Sequence, residues 1–194
     1  MNLDQVLHTA PDTPRAFQSA QQRSAELYAD ILAVAPHGDG RVDIEAVQCR
    51  PSILRRTAAL LAEVLPHGTD RLVCTTPQGL ATTTALALHT GLPFATVTGT
   101  GDDARLTGEA HPGEHTVVVV PLTGTAQDAA PPVHAAQKAG MRVSCVLSVL
   151  DLGDSSVVDT LLERYGVRFH ALFPATPSPA PPRSATDTKE EGPR

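Results

Sequence analysis

The stretch HTVVVVPLTGTAQDAAPPVHAAQKAGMRVSCVLSVL, residues 115–150, decides the fold of this chain. Its opening segment, 115–122, contains a continuous apolar run, as expected of a strand that is covered on both faces. A helix is predicted at 131–140, beginning at its two prolines, because proline lacks an N–H and disfavours helix in the residue before it. A second apolar run at 142–150 predicts the next strand. Two strands joined by a helix-length segment are typical of a parallel sheet.

The same alternation of strands and helices continues on both sides of this stretch. Further strands are predicted at RLVCTT (71–76), PFATVTG (93–99) and VRFHALF (167–173). The polar, glycine-rich segment at 99–114 is predicted to be a loop. The last helix, capped by Asp154 or Ser155 and closed by Gly166, has apolar residues on one face: Val157, Val158, Leu161, Leu162 and Tyr165. We therefore predict an α/β fold with an open, mostly parallel, twisted sheet flanked by helices.

The sequence divides into three parts. Residues 1–49 are predicted to form an N-terminal helical segment, with a helix from about Pro14 to Val34 and a candidate strand at 42–49. Residues 50–173 form the α/β core, which opens with a helix whose first turn contains Pro51. Residues 174–194 are rich in Pro, Ser, Thr and charge. They cannot bury enough apolar surface to offset the entropy of ordering, so we predict a disordered tail.

Composition and charge exclude several classes of protein. The net charge of -6 and the pI near 5.7 give no basic footprint, which argues against general nucleic-acid binding. The sequence contains no apolar run long enough to cross a bilayer and no signal-peptide pattern, so we expect a cytoplasmic protein without membrane contact. The three cysteines are odd in number and widely spaced, and we expect buried, reduced thiols rather than a metal site.

The loops after three predicted strands are the expected place for a ligand. In an open parallel sheet, ligands bind beyond the carboxyl ends of the strands. In this sequence those ends are followed by the loops after Thr76, Gly99 and Leu122. This expectation depends on the predicted sheet alone.

Three stretches carry a resemblance to a known family. They are residues 70–97, which run through TTPQG, residues 115–151, which run through TGTA, and residues 161–173. In order and pattern they resemble the type I phosphoribosyltransferases, and the orotate phosphoribosyltransferase branch most closely. Residues 70–97 are similar to the family's strand, pyrophosphate loop and helix, and residues 115–151 to its ribose-phosphate-binding strand, loop and helix. Residues 1–49 would then correspond to the family's hood.

The resemblance implies a reaction and a set of site residues. Family members transfer ribose 5-phosphate from phosphoribosyl diphosphate to a base, with magnesium. Two acidic residues after the apolar strand hold the ribose hydroxyls, and a turn at a helix start binds the 5′-phosphate through N–H groups. The resemblance places phosphate binding at Thr123, Gly124, Thr125 and Ala126, and the pyrophosphate loop at Thr76, Pro77, Gln78 and Gly79. Because family members commonly dimerise, it also implies a homodimer or a heterodimer with an active homologue.

The sequence departs from the family pattern in three places. Pro121 and Leu122 stand at the positions of the acidic pair. The helix that begins at the two prolines would place its N-terminal dipole about a turn farther from the phosphate. The loop at 99–114 has no lysine and carries acidic residues that would repel pyrophosphate: Asp102, Asp103, Glu109 and Glu114. Two lost hydrogen bonds to charged groups, at ~1.5–3 kcal/mol each, would weaken binding on the order of a hundredfold or more.

Other polar residues are weaker candidates for a site. Arg41 could meet a carboxylate of the substrate, but a solvated loop is the favoured interpretation. Arg105 is the one Lys or Arg of the loop at 99–114 and is a second candidate for contact with the substrate. Asp102, Asp103 and His111 could be metal ligands, but a polar, glycine-rich loop is typical of a solvated surface, and we predict no metal site. The turns at 75–79 and 123–126 could also be ordinary strand-to-helix turns.

Three functions remain open. The first is an impaired phosphoribosyltransferase homologue that binds a nucleotide or ribose phosphate, or acts through a partner subunit. The second is an active, magnesium-dependent enzyme that acts on a pyrimidine-like base, with Asp128 as the nearest acidic catalytic candidate. The third is a non-enzymatic α/β interaction module.

Overall fold

The computed structural model describes residues 19–34, 42–100, 103–153 and 156–173. Helices and strands alternate along most of these ranges. In chain order they are α1 (Ala20–Val34), α2 (Ile44–Gln48), α3 (Pro51–Glu63), β1 (Arg71–Thr75), α4 (Leu80–Thr90), β2 (Phe94–Thr98), β3 (Arg105–Thr107), β4 (His115–Thr123), α5 (Ala126–Lys138), β5 (Arg142–Asp151), α6 (Ser156–Tyr165) and β6 (Arg168–Phe173).

The strands form one six-stranded sheet in the order β3-β2-β1-β4-β5-β6. The pairings of β1 with β2 and β4, and of β5 with β4 and β6, are parallel. The short edge strand β3 pairs antiparallel with β2. The predicted α/β fold with a mostly parallel sheet is therefore confirmed.

The connections from β1 and β4, which are neighbours, leave in opposite directions. The chain passes from β1 through α4 to β2 on one side, and from β4 through α5 to β5 on the other. Helices α1 to α4 pack in one hydrophobic cluster, and α5 and α6 pack in the other. A crevice therefore opens at the carboxyl ends of β1 and β4, the place where ligands bind in open α/β sheets.

Strand β4 shows why the apolar run of the sequence is continuous. Val117 and Val119 belong to the cluster with α1 to α4, whereas Val118 and Val120 belong to the cluster with α5 and α6. All four side chains are buried. A strand with helices on both faces needs apolar side chains at odd and even positions, as this one has.

The predicted start of α5 is wrong. The helix begins at Ala126, and Pro131 and Pro132 lie inside it, in its second turn. A capping box between Thr125 and Asp128 sets the first turn. The prolines remove the N–H partners of two carbonyls, but those carbonyls belong to exposed residues that water can reach. The N-terminal, positive end of the α5 dipole therefore lies at residues 123–126, and not about one helical turn farther along the chain.

The candidate strand at 42–49 is also wrong. Residues 44–48 form the short helix α2, because the Asp43 side chain caps it by accepting a hydrogen bond from the Ala46 N–H at 2.9 Å. Ile44 and Val47 are buried, three residues apart, as one face of a helix requires. The alternation of apolar and polar residues in so short a segment fits either structure.

Smaller differences concern a loop, a helix face and a thiol. The predicted loop at 99–114 contains β3. On α6, Val157 and Leu161 are buried, but Val158 and Leu162 are exposed. Cys74 and Cys145 are buried free thiols as expected, and burial raises the pKa of both, whereas Cys49 is exposed.

Some predictions fall outside the described residues. These are the start of the first helix at Pro14, most of the loop at 36–43 with Arg41, the caps Asp154 and Ser155, Asp102, and the tail at 174–194. In the part of the chain that the structure describes, no helix has the length and apolar character needed to span a membrane.

A buried ion pair joins β1 to the start of β4, at the amino ends of the strands. Arg71 donates from Nε to Glu114 Oε2 at 2.8 Å and from Nη2 to Oε1 at 3.0 Å. These hydrogen bonds from Arg71 are the main reason that the pKa of Glu114 falls from 4.5 to about 2. Because Glu114 directly precedes β4 and pairs with the first residue of β1, it lies at the opposite end of the sheet from the crevice. The expectation that it would repel pyrophosphate is wrong.

We predict that Glu114→Gln lowers the free energy of unfolding at pH 7 by about 2–3 kcal/mol, since Arg71 keeps its buried charge without a counterion. A depressed carboxyl pKa stabilises the fold above pH 4.5, and that stabilisation is lost as the pH falls from 4.5 toward 2. The variant should lose less stability than the wild type across that window. Urea unfolding at a series of pH values measures both effects.

The matched control is Glu63→Gln, which breaks the half-exposed pair of Glu63 with Arg23 at 3.4 Å. An exposed pair of this kind contributes little, so we expect a change within about 0.5 kcal/mol. Equal losses in the two variants, or parallel pH profiles for Glu114→Gln and the wild type, would contradict the assignment.

Candidate functional site

A cavity of about 330 Å³ lies in the crevice at the carboxyl ends of β1, β2 and β4. It brings together the three loops that the sequence predicted to hold a ligand. The lining residues come from α2, the three strand ends and the first turns of α5: Ile44, Thr75, Thr76, Gln78, Gly99, Thr100, Val120, Pro121, Leu122, Gln127, Asp128 and Pro131.

The turn between β1 and α4 forms one wall of the cavity through Thr75, Thr76 and Gln78. The Thr76–Pro77 peptide bond is cis. Gly79 closes the turn by donating its N–H to the Thr75 carbonyl at 2.8 Å. A Cβ at Gly79 would lie 2.7 Å from Cys74 Cβ and 2.8 Å from the Thr75 oxygen, so the close approach requires glycine.

Helix α2 is tied to this turn by Gln48. Its Nε2 donates to the Gln78 carbonyl at 2.7 Å and to Thr82 Oγ1 at 3.0 Å. These contacts hold α2 against the turn at the mouth of the crevice. Helix α2 therefore contributes Ile44 to the lining of the cavity.

The opposite wall comes from residues on either side of the turn at 123–126, and no residue of the turn itself is among the described lining residues: Val120, Pro121 and Leu122 belong to β4, and Gln127, Asp128 and Pro131 belong to α5. Gly124 and Thr125 both donate their N–H groups to Asp128 Oδ2, each at 2.8 Å. Asp128 is at the third position of α5, where a carboxylate also interacts favourably with the helix dipole. Two of the amides that the sequence assigned to a phosphate are therefore bonded to a carboxylate of the chain itself.

The lining of the cavity is mainly apolar and uncharged. Asp128 is the one ionisable side chain among the described residues that line it. The hydroxyl groups of three threonines and the amides of Gln78 and Gln127 supply the other polar side-chain groups. Pro121 and Leu122, which the sequence resemblance places at the acidic pair, line this space with side chains that have no hydrogen-bonding group.

A chain of buried hydroxyls anchors the end of β4. Thr123 Oγ1 donates to Ser148 Oγ at 3.0 Å, and Ser148 Oγ donates to the Leu150 carbonyl at 2.9 Å. The Thr123 carbonyl accepts the N–H of Leu152 at 2.7 Å. Thr123 is fully buried, so its side chain positions the turn rather than contacting a ligand.

We predict that Thr123→Val lowers the free energy of unfolding by about 1 kcal/mol, because Ser148 Oγ loses its donor in a buried setting. Thr116→Val is the matched control on the same strand. The Thr116 hydroxyl is buried with no hydrogen-bond partner among the described residues, so its removal should be neutral or stabilising. Chemical denaturation measures both variants, and a larger loss for Thr116→Val than for Thr123→Val would contradict the assignment.

The structure places the remaining candidate residues away from the cavity or outside the described residues. Arg105 is exposed on β3, where it pairs with Thr98, and is not part of the lining. Asp103 and His111 are exposed, and the described residues contain no group of three or more His, Cys, Asp or Glu that could hold a metal. Arg41 lies outside the described residues.

Sequence reasoning missed several lining residues, including Gln127 and Pro131. Gln127 was missed because α5 was expected to begin at the prolines, which placed 127–130 outside the helix. Thr125 followed by Asp128 three residues later has the spacing of a capping box and could have located the start. Ile44 was missed because its segment was read as a strand.

The lining offers little to a magnesium ion. Magnesium prefers oxygen ligands and is often held by one or two carboxylates together with substrate phosphates. Asp128 is the one carboxylate among the described lining residues, and its Oδ2 already accepts two amide hydrogen bonds. The described residues therefore do not fit a resident magnesium ion.

Comparisons with known proteins agree with the architecture. The sequence matches no protein-family model and none of the curated proteins. The structure is similar to that of a phosphoribosyltransferase from Corynebacterium diphtheriae, with a TM-score of 0.69 and 21% identity over 78% of this chain and 95% of that one.

Two further solved structures show the same likeness. Mycobacterium tuberculosis orotate phosphoribosyltransferase in complex with 5-phospho-α-D-ribosyl 1-diphosphate gives a TM-score of 0.63 and 20% identity over 78% of this chain and 96% of that one. Thermoanaerobacter pseudethanolicus adenine phosphoribosyltransferase gives 0.60 and 16% identity over 76% and 99%. The chain therefore has the type I phosphoribosyltransferase fold.

Proposed function

We propose that this chain is a catalytically impaired phosphoribosyltransferase homologue, which binds a small molecule in the cavity but does not transfer ribose 5-phosphate. The observation that carries the proposal is the presence of Pro121 and Leu122 in the cavity lining. In the sequence resemblance, these two positions correspond to the two acids that hold the ribose hydroxyls in the family. The fold supports the relationship to phosphoribosyltransferases, and the cavity supports binding.

The chemistry of the transfer explains why these two positions matter. As pyrophosphate leaves, the sugar develops positive charge, and interactions that strengthen in the transition state are those that raise the rate. Proline and leucine offer neither a charge nor a hydrogen-bond acceptor in the side chain. We therefore infer that both the binding of the donor and the stabilisation of its transition state are weakened.

The charge of the leaving group points the same way. Positively charged side chains favour the binding of pyrophosphate, but none of the described residues that line the cavity is Lys, Arg or His. The whole chain has a net charge of -6. A phosphoribosyl diphosphate donor would therefore meet a lining with one negative side chain and no described positive one.

An active enzyme is the second candidate, and one observation favours it. Asp128 lies in the lining, so its Oδ1 could accept a hydrogen bond from a sugar hydroxyl in place of the missing acids. This version requires magnesium bound with the donor and a pyrimidine-like base as acceptor. Its Asp128 would be a catalytic residue.

A role through a partner subunit is part of the proposal. The partner would be a second copy of the chain or an active homologue. On α6, Val158 and Leu162 are 41% and 54% exposed and lie one turn apart, which gives an apolar strip that a partner could cover. A regulatory subunit can act by binding a ligand, without catalysing a reaction itself.

The test is release of pyrophosphate from phosphoribosyl diphosphate with magnesium and a panel of bases that includes orotate, uracil and adenine. We expect turnover at least about a hundredfold below that of an active orotate phosphoribosyltransferase assayed in parallel, consistent with the two lost contacts. Sedimentation velocity on the same sample, alone and mixed with that enzyme, tests the partner role. A monomer that forms no mixed species would remove that role.

Asp128→Ala and Asp159→Ala separate the two candidate functions. Asp159 is exposed in the first turn of α6 and provides the same change of charge away from the cavity. Magnesium-dependent turnover that is lost in Asp128→Ala and kept in Asp159→Ala would establish the active enzyme and overturn the proposal.

A further inference from the structure

We propose that the cavity selects an uncharged, nucleoside-like ligand over its phosphorylated form, because the Asp128 carboxylate holds amides that a phosphate would need. This inference rests on the proposed binding function of the cavity. The ligand class is a neutral nucleoside, and Asp128 is the residue that determines the specificity.

The hydrogen bonds of Asp128 occupy donors that a phosphate would need. A 5′-phosphate at the turn 123–126 would need backbone N–H groups as donors. Two of those N–H groups, on Gly124 and Thr125, already donate to Asp128 Oδ2 at 2.8 Å each. Thr125 Oγ1 also lies 3.4 Å from the same oxygen. A phosphate would have to displace the carboxylate or bind without these donors.

The negative charge of Asp128 also disfavours a phosphate in the cavity. A carboxylate beside a phosphate repels it, and no Lys, Arg or His among the described lining residues compensates. A neutral ligand meets no such repulsion. The same carboxylate favours a sugar hydroxyl, since Asp128 Oδ1 accepts no hydrogen bond from a described residue and a hydroxyl is a donor.

The remaining lining suits an uncharged ring with polar edges. Gln78 and Gln127 carry amides that both donate and accept, and threonine hydroxyls do the same. Apolar surface from Ile44, Val120 and Leu122 can cover a ring face. The cavity of about 330 Å³ is at the lower end of the range for small-molecule sites, which fits a ligand of nucleoside size.

The experiment is isothermal titration of the full chain with uridine, cytidine, adenosine and guanosine and with the 5′-monophosphate of each, at pH 7.5 and constant ionic strength. We expect at least one nucleoside to bind at least tenfold more tightly than its monophosphate. If every monophosphate binds as tightly as its nucleoside, or if no nucleoside binds, the inference is wrong.

Two variants test the role of Asp128. Asp128→Ala frees the amides and removes the charge, so the affinity for the 5′-monophosphate should rise at least tenfold while that for the nucleoside should not rise. Asp128→Asn keeps an oxygen that can cap the helix and removes the charge, so the ratio of nucleoside affinity to monophosphate affinity should fall. This variant tests the inference even if Asp128→Ala does not fold. Asp159→Ala should leave the preference unchanged.

Selectivity that is unaltered in Asp128→Asn would overturn the inference. Failure of the inference about selectivity can be distinguished from failure of the proposed function. The selectivity is measured without donor or magnesium, whereas the proposed impairment is contradicted by release of pyrophosphate at a rate close to that of the active enzyme.

Discussion

The opposite directions in which the chain leaves β1 and β4 determine where the site can form. The two strands are hydrogen-bonded neighbours, yet α4 and α5 cover opposite faces of the sheet. Their carboxyl ends are therefore not covered by either helix, and a crevice remains between the two turns. The cavity lies in this crevice, and the contact of Gln48 and the close turn at Gly79 lie beside it. The buried pair of Arg71 and Glu114 stabilises the same two strands at their other ends.

Within this crevice the side chains change what the fold can bind. The turn after β4 has the backbone of an anion site at a helix start, but a carboxylate from the same helix satisfies two of its amides. The strand that leads to it carries Pro121 and Leu122 near its end, where they add apolar surface to the lining. A fold shared with phosphoribosyltransferases thus surrounds a site that we propose is suited to neutral ligands. Function belongs to the site and not to the fold.

The sequence was informative where burial determines the pattern. The four valines of β4 predicted a strand covered on both faces, and the predicted strand ends located the crevice. Local hydrogen bonds were harder to predict. The start of α5 depends on the capping box of Thr125 and Asp128 against two prolines, and α2 depends on a single cap by Asp43. The pairing of Glu114 with Arg71, 43 residues away along the chain, is not visible in a local pattern. The bonds of Asp128 to Gly124 and Thr125 are local, and the spacing of Thr125 and Asp128 fits a capping box, but from the sequence we considered Asp128 only as a group for the sugar.

The most direct test of this account is NMR of the backbone amides of Gly124 and Thr125 during a titration with inorganic phosphate. If Asp128 occupies these donors, their resonances should stay in place in the wild type and shift saturably in Asp128→Ala. Saturable shifts of both resonances in the wild type, at phosphate concentrations that leave other amides unchanged, would contradict the account.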